Sequence, residues 1–178
     1  NLDYFLANPV KILAIWEGGL SFHGGLIGAL IAAYLFCRKN KFDFLELADL
    51  TVIPLALALF LGRIANFING ELYGYETTLL WAVKFPTAEG FRHPTQMYEA
   101  LKNLFIFFVL FSLKDKKYKK GTLFFLFITL YGLFRFFIEF LKVPENYLLG
   151  LPTGQLFSLV MFIIGGFYLI KNERTIKT

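Results

Sequence analysis

This sequence predicts an all-α protein, a polytopic integral membrane helical bundle with five transmembrane helices. Three observations carry the expectation. Hydrophobic residues fill 57% of 178 positions, Phe alone supplies 23, and the mean hydropathy is +0.58, a composition soluble domains rarely reach. Several apolar runs approach the ~20 residues needed to cross a bilayer as a helix. Short basic clusters separate those runs, as at Lys114–Lys120, which is how membrane proteins mark one side of the bilayer. The net charge of +5 is therefore a topology signal, and no nucleic-acid partner is expected. Cys37 stands alone, so no internal disulfide can form.

One transmembrane domain accounts for residues 1–178. Residues 1–19 read as an outward-facing interfacial segment, with Asn8 and Pro9 opening a short helix, Gly18 and Gly19 closing it, and Lys11 and Trp16 at the interface. The first span, 20–37, is rich in glycine and ends at the basic turn Arg38-Lys39-Asn40-Lys41. The second, 45–69, carries Pro54 as an expected kink. Residues 70–96 form an outward loop. The third span is 97–113; HPTQMYE at 93–99 either has a functional role or is only a helix start, with Thr95 as its cap and Tyr98 in the aromatic belt. The fourth is 122–141, and a short loop containing Pro144 and Pro152 leads to the fifth, 153–170. There is no internal repeat. The chain opens on Asn1 without a signal-peptide pattern, so a fragment or processed form is expected.

Charge sets the orientation. Eleven of the 18 basic residues fall on one set of alternate connections and four, Lys11, Lys84, Arg92 and Lys142, on the other; Arg63, Lys102 and Arg135 lie inside spans. The C-terminus is thus placed in the cytoplasm. His23 then lies near the outer end of the first span, and Arg63 about 9 Å before the outer end of the second at 1.5 Å per residue. Gln96, Tyr98 and Glu99 fall at the outer mouth of the third span, and Arg135 and Glu139 in the last turns of the fourth. Polar residues far apart in sequence share one depth. Glu46 and Asp49 are the main ionisable groups at the other end.

The layer has a definite chemistry. Arg63, Asn66, Asn69 and Gly70 follow i, i+3, i+6, i+7 spacing and share a helix face, with Glu71 next in the chain. An arginine fork beside amides suits a phosphate, and an arginine inside a span is costly enough to imply a role beyond snorkelling to the interface. Arg135 and Glu139 form an i, i+4 pair, with Tyr131 one turn earlier on the same face. His23 is followed by Gly24 and Gly25, which either let a ligand approach or serve close helix packing. The layer lacks cysteine and has few histidines, so neither a metal nor a haem is expected, and no cofactor. It suits an anionic lipid headgroup with a general base beside it. Two other classes compete: an anionic lipid or solute transporter, which favours midplane charges and internal repeats, and a non-catalytic lipid-binding membrane protein.

Four ordered blocks go further: SFHGGLIG at 21–28, GRIANFINGELYG at 62–74, HPTQMYE at 93–99 and YGLFRFFIEF at 131–140. Through them the chain resembles the bacterial prolipoprotein diacylglyceryl transferases over essentially its whole length. That resemblance implies a seven-span protein of the bacterial cytoplasmic (inner) membrane, of which these five spans would be the last, with its active site toward the periplasmic leaflet. It implies transfer of a diacylglyceryl group from phosphatidylglycerol to the lipobox cysteine of a prolipoprotein, releasing glycerol-1-phosphate, the first step of lipoprotein maturation. The implied partners are phosphatidylglycerol, the prolipoprotein signal peptide and membrane lipid. The implied catalytic residues are His23, Arg63 and Arg135, the arginines holding phosphate and His23 the first candidate base, with Glu71 and Glu139 as the others. Asn66, Asn69, Glu71, Gly74, Tyr131, Glu139 and Gly24 would contact substrate or shape the site. The chain departs from the family pattern at Ala65, Lys142 and Val160, in place of glycine, arginine and proline, positions expected to concern packing or the rim.

Overall fold

The structure, a computed structural model, describes residues 22–144, 146–148 and 150–173. Among them the helices are α1 (Phe22–Asn40), α2 (Phe44–Asn69), α3 (Thr95–Leu113), α4 (Thr122–Ile138) and α5 (Thr153–Glu173). A 3-10 turn, Glu139–Leu141, prolongs α4. A small antiparallel hairpin of β1 (Tyr147–Leu148) and β2 (Leu151–Pro152) then precedes α5. The hairpin was not expected from the sequence, because two-residue strands leave no alternating pattern to read. The interfacial segment 1–19 lies outside the described residues.

Among the described residues, four helical stretches are long and apolar enough to cross a membrane: Phe44–Asn69, Thr95–Leu113, Thr122–Leu141 and Thr153–Asn172. Where the sequence predicts its first span, the structure has α1, which is not among the four; its glycines and the basic Arg38 and Lys39 lower its hydropathy. The protein is a polytopic helical membrane protein. Its surface says the same, since Leu50, Leu55, Leu61, Phe105, Phe108, Phe111, Phe137 and Phe167 are all exposed. In hydrocarbon such side chains need no further cover.

The chain divides into two compact units, residues 1–44 and 45–178. In the first, α1 ends where the Asn40 side-chain amide donates to the Phe36 carbonyl at 2.9 Å. The Phe42 amide then donates to the Cys37 carbonyl at 3.0 Å.

In the second unit, Val52 and Ala56 of α2, Ile106 and Leu110 of α3, and Leu123 and Phe127 of α4 form the buried core. α5 packs on α4 through two glycines. A Cβ at Gly132 would collide with the backbone of Ser158 and Phe162, and one at Gly165 with Thr129 Oγ1 and the Phe125 carbonyl. Close approach of this kind is how helices gain packing where lipid offers no hydrophobic drive.

Asp49, on α2, completes the start of α4. Its carboxylate accepts the amides of Gly121 at 2.6 Å and Phe124 at 2.8 Å, as a capping side chain would, but from another helix. Lys120 pairs with Glu46 beside it at 3.0 Å. The acidic pair at this end of α2 is therefore structural. Asp49→Ala should cost about 1–2 kcal/mol, as loss of a helix cap does. The check is a lower thermal midpoint in detergent with turnover per folded molecule unchanged; an unaltered midpoint would refute the capping role.

The start of α3 differs from the position the sequence predicts. α3 starts at Thr95, not 97, behind Pro94, which has no amide to leave unpaired. Thr95 is not a cap; its hydroxyl instead donates to the Leu72 carbonyl at 2.9 Å. The loop between α2 and α3 is held by backbone bridges between Glu76 and Arg92, Val83 and Arg92, and Gly74 and Lys142.

Candidate functional site

The C-terminal end of α2 builds the first wall. Gly70, at φ +69, turns the chain out of the helix; its amide donates to the Phe67 carbonyl at 3.1 Å and the Glu71 amide to the Asn66 carbonyl at 3.1 Å. This is the Schellman arrangement, and glycine is the residue that takes its left-handed position without strain. The turn folds Glu71 back over its own helix. Its carboxylate accepts the side-chain amides of Asn66 at 2.8 Å and Asn69 at 3.4 Å. Asn66 accepts in turn from Arg63 Nη1 at 3.4 Å. Leu72 follows at φ +60, costly for a branched side chain. α3 grips both carbonyls there: Gln96 Nε2 donates to the Glu71 carbonyl at 2.5 Å, as Thr95 does to that of Leu72.

That grip registers the end of α2 against the start of α3, and brings Arg63 onto Glu99. The Glu99 side chain is 2% exposed, and four cations surround it. Arg63 Nε lies 3.0 Å from Oε2, Arg135 Nη1 and Lys102 Nζ each 3.7 Å from the same oxygen, and Lys142 Nζ 3.8 Å from Oε1. Arg135 also donates to the Tyr131 hydroxyl at 3.2 Å and pairs loosely with Glu139 at 3.9 Å. Against four cations stand the two buried carboxylates, Glu99 and Glu139, so the cluster keeps an excess of positive charge. Arg63 and Arg135 are its more accessible members, with side chains 17% and 22% exposed.

Two recesses meet at Lys142 and Val143. One, of ≈ 360 Å³, is lined by Asn69, Glu71, Tyr73 and Thr87; the other, of ≈ 130 Å³, by Arg135, Glu139, Gly154 and Phe157. A Cβ at Gly154 would strike the Glu139 carboxylate, so the first turn of α5 closes directly on that group. The arrangement can bind an anion through guanidiniums already paired with a buried carboxylate.

The comparisons with known proteins agree on one family. The family model described as "Prolipoprotein diacylglyceryl transferase" matches residues 1–171. The chain belongs to the prolipoprotein diacylglyceryl transferase family. Among its relatives in that family, the protein of Ehrlichia canis (strain Jake) is 44% identical, over 96% of this chain and 69% of its own. Those of Geobacter sulfurreducens and Rickettsia africae are each 44% identical, over 93% and 97% of this chain and 66% and 70% of theirs. Each is named phosphatidylglycerol–prolipoprotein diacylglyceryl transferase. The chain spans about two thirds of the length of these relatives.

Within this family member, the structure joins Arg63, Asn66, Asn69 and Glu71 in one hydrogen-bonded series, and Tyr131, Arg135 and Glu139 through one hydrogen bond and one ion pair. Glu99 links the two. The His23 side chain lies outside those described, and Gly24 belongs to α1, in the other unit. Gly74 is buried, its amide donating to the His93 carbonyl at 2.9 Å, and a Cβ there would collide with Leu141 and Thr95. It shapes the loop by letting these segments approach closely.

Three members carry more than the sequence analysis assigns them. Glu99 lies at the start of α3, at the mouth the sequence predicts, and is also the buried centre of the cluster. Lys142 was expected to concern packing or the rim and is 93% buried beside Glu99. Lys102 drew no role, although its i, i+3 spacing from Glu99 was visible. Tyr98, expected in an aromatic belt, accepts from Trp81 Nε1 at 2.8 Å and lies 3.2 Å from His93 Nδ1.

Proposed function

We propose that this chain carries the phosphate-binding layer of a phosphatidylglycerol–prolipoprotein diacylglyceryl transferase, acting on the lipobox cysteine of a prolipoprotein signal peptide. The observation that supports it most is the convergence of four cations on buried Glu99, which leaves two guanidiniums partly exposed and already oriented. Orientation fixed before the substrate arrives is what electrostatic catalysis requires.

In this reading the substrate thiol loses its proton to a base and attacks the glyceryl carbon bonded to the phosphate oxygen. A sulfur–carbon bond forms and the carbon–oxygen bond breaks, its electron pair leaving on the phosphate. Diacylglyceryl becomes a thioether on the cysteine, and glycerol-1-phosphate departs. Arg63 and Arg135 hold the phosphate and meet the charge it gains. Glu99 is not the base, since both its oxygens face cations; it orients the arginines. His23, Glu71 and Glu139 are the candidate bases. Asn66 and Asn69 hold Glu71 at the edge of the larger recess.

The site lies on the periplasmic side of the bacterial cytoplasmic membrane and the C-terminus in the cytoplasm. The five basic residues of Lys114–Lys120, joining the ends of α3 and α4 remote from the site, support that orientation.

The test is direct. The full-length gene product in detergent, given phosphatidylglycerol and a lipobox peptide, should yield a diacylglyceryl-cysteine product by mass spectrometry, and none with a Cys→Ser peptide. Folded protein that binds phosphatidylglycerol without forming product would sink the reading and leave a lipid-recognition role.

A further inference from the structure

Lys102 has no part in the scheme above. It lies one turn along α3 from Glu99, with its side chain 2% exposed. Its ammonium is 3.7 Å from Glu99 Oε2 and 3.7 Å from the centre of the Tyr131 ring, and has no hydrogen-bond partner among the described residues. A buried ammonium held by one long ion pair and a ring face is expensive, and an apolar side chain of similar volume would serve packing better. Glu99 does not need it as a counter-ion, having Arg63, Arg135 and Lys142 within 4 Å. Nor does a ligand reach it, because the partly exposed cations are the two arginines.

We propose that Lys102 is a positioning residue that acts through its charge. It braces the Glu99 carboxylate and the Tyr131 ring, and through the Tyr131 hydroxyl the guanidinium of Arg135. It also adds a fixed positive charge that favours the phosphate once the carbon–oxygen bond has broken. The proposal rests on the transferase reading. There the bound phosphodiester carries one negative charge, and the departing phosphomonoester takes the electron pair of the broken bond and with it a second. A fixed cation in a water-excluded site favours the more negative of two states. Lys102 therefore bears on turnover and product affinity more than on substrate binding.

The test uses the full-length protein in detergent. Lys102→Met removes the charge at similar volume, Lys102→Gln removes it with a polar end, and Lys102→Arg keeps it. Both neutral variants should lower kcat about tenfold or more while moving KM for phosphatidylglycerol less than about threefold, and should raise the inhibition constant of glycerol-1-phosphate about tenfold. Lys102→Arg should restore most of kcat. A folded neutral variant with wild-type kcat and wild-type product inhibition would overturn the proposal. So would neutral variants that cannot be recovered folded, because the ammonium would then serve the fold alone. Failure of the wild type itself to transfer is a different result, which removes the transferase reading and this proposal with it.

Discussion

Glu99→Gln should cost the protein both stability and transfer. The substitution keeps the shape and removes the one carboxylate among the described residues that all four cations approach within 4 Å. Arg63 and Arg135 retain some solvent, but Lys102 is left buried with a ring face and no other counter-charge among the described residues. Breaking a buried ion pair on one side typically costs about 3–5 kcal/mol, because the surviving charge keeps its desolvation penalty. The expected result is a sharply lowered thermal midpoint in detergent and turnover near background. Glu99→Asp, which keeps the charge on a shorter arm, should recover more stability than activity, since the arginines would follow the carboxylate back toward α3. A Glu99→Gln protein with a wild-type midpoint and wild-type turnover would show that something else holds the cations.

Arg63→Ala should separate the two properties. Arg63 is at the accessible edge of the cluster, and its removal leaves Glu99 with three cations. The midpoint should move little. Transfer should fall by at least about 10²-fold, the usual loss when one preorganised donor to a developing oxyanion is removed. Arg63→Lys should not rescue it. A single ammonium cannot span Glu99 on one side and Asn66 on another while presenting a fork to phosphate. Substantial turnover in Arg63→Ala would take Arg63 out of the chemistry and leave it a partner of Glu99 alone.

The contrast between these variants follows from burial. The cluster has a dry inner part, Glu99 and Lys102, and an accessible outer part, Arg63 and Arg135. Changes inside act through the positions of the groups outside. In the proposed reading, changes outside act on the ligand.

Much of this was legible in one dimension. Hydropathy marks the apolar stretches because the bilayer demands about 20 apolar residues of any helix that crosses it. Arg63 and Arg135 stand out because charge is rare at such depth. Helical spacing alone puts Arg63, Asn66 and Asn69 on one face, and Arg135, Tyr131 and Glu139 on another. The chain order Asn69-Gly70-Glu71 carries the turn that folds Glu71 back, since glycine takes the left-handed position there.

What spacing does not supply is which face meets which. Glu99 reads from sequence as one more polar residue at a helix start, and Lys102 as a lysine inside a span. Their meeting with Arg63, Arg135 and Lys142 depends on the rotation of α2, α3 and α4 about their axes. Interlocking side chains set that rotation at Val52, Ala56, Ile106, Leu110 and Phe127. Asp49 makes the same point at the other end, capping a helix that begins more than 70 residues later. By itself the sequence determined the membrane class, the approximate helices and the two arginines within them, because each depends on local composition and period. Only the tertiary structure decided that a single buried carboxylate organises four cations, because that depends on packing between helices, and packing in lipid is set by contacts distant in the chain.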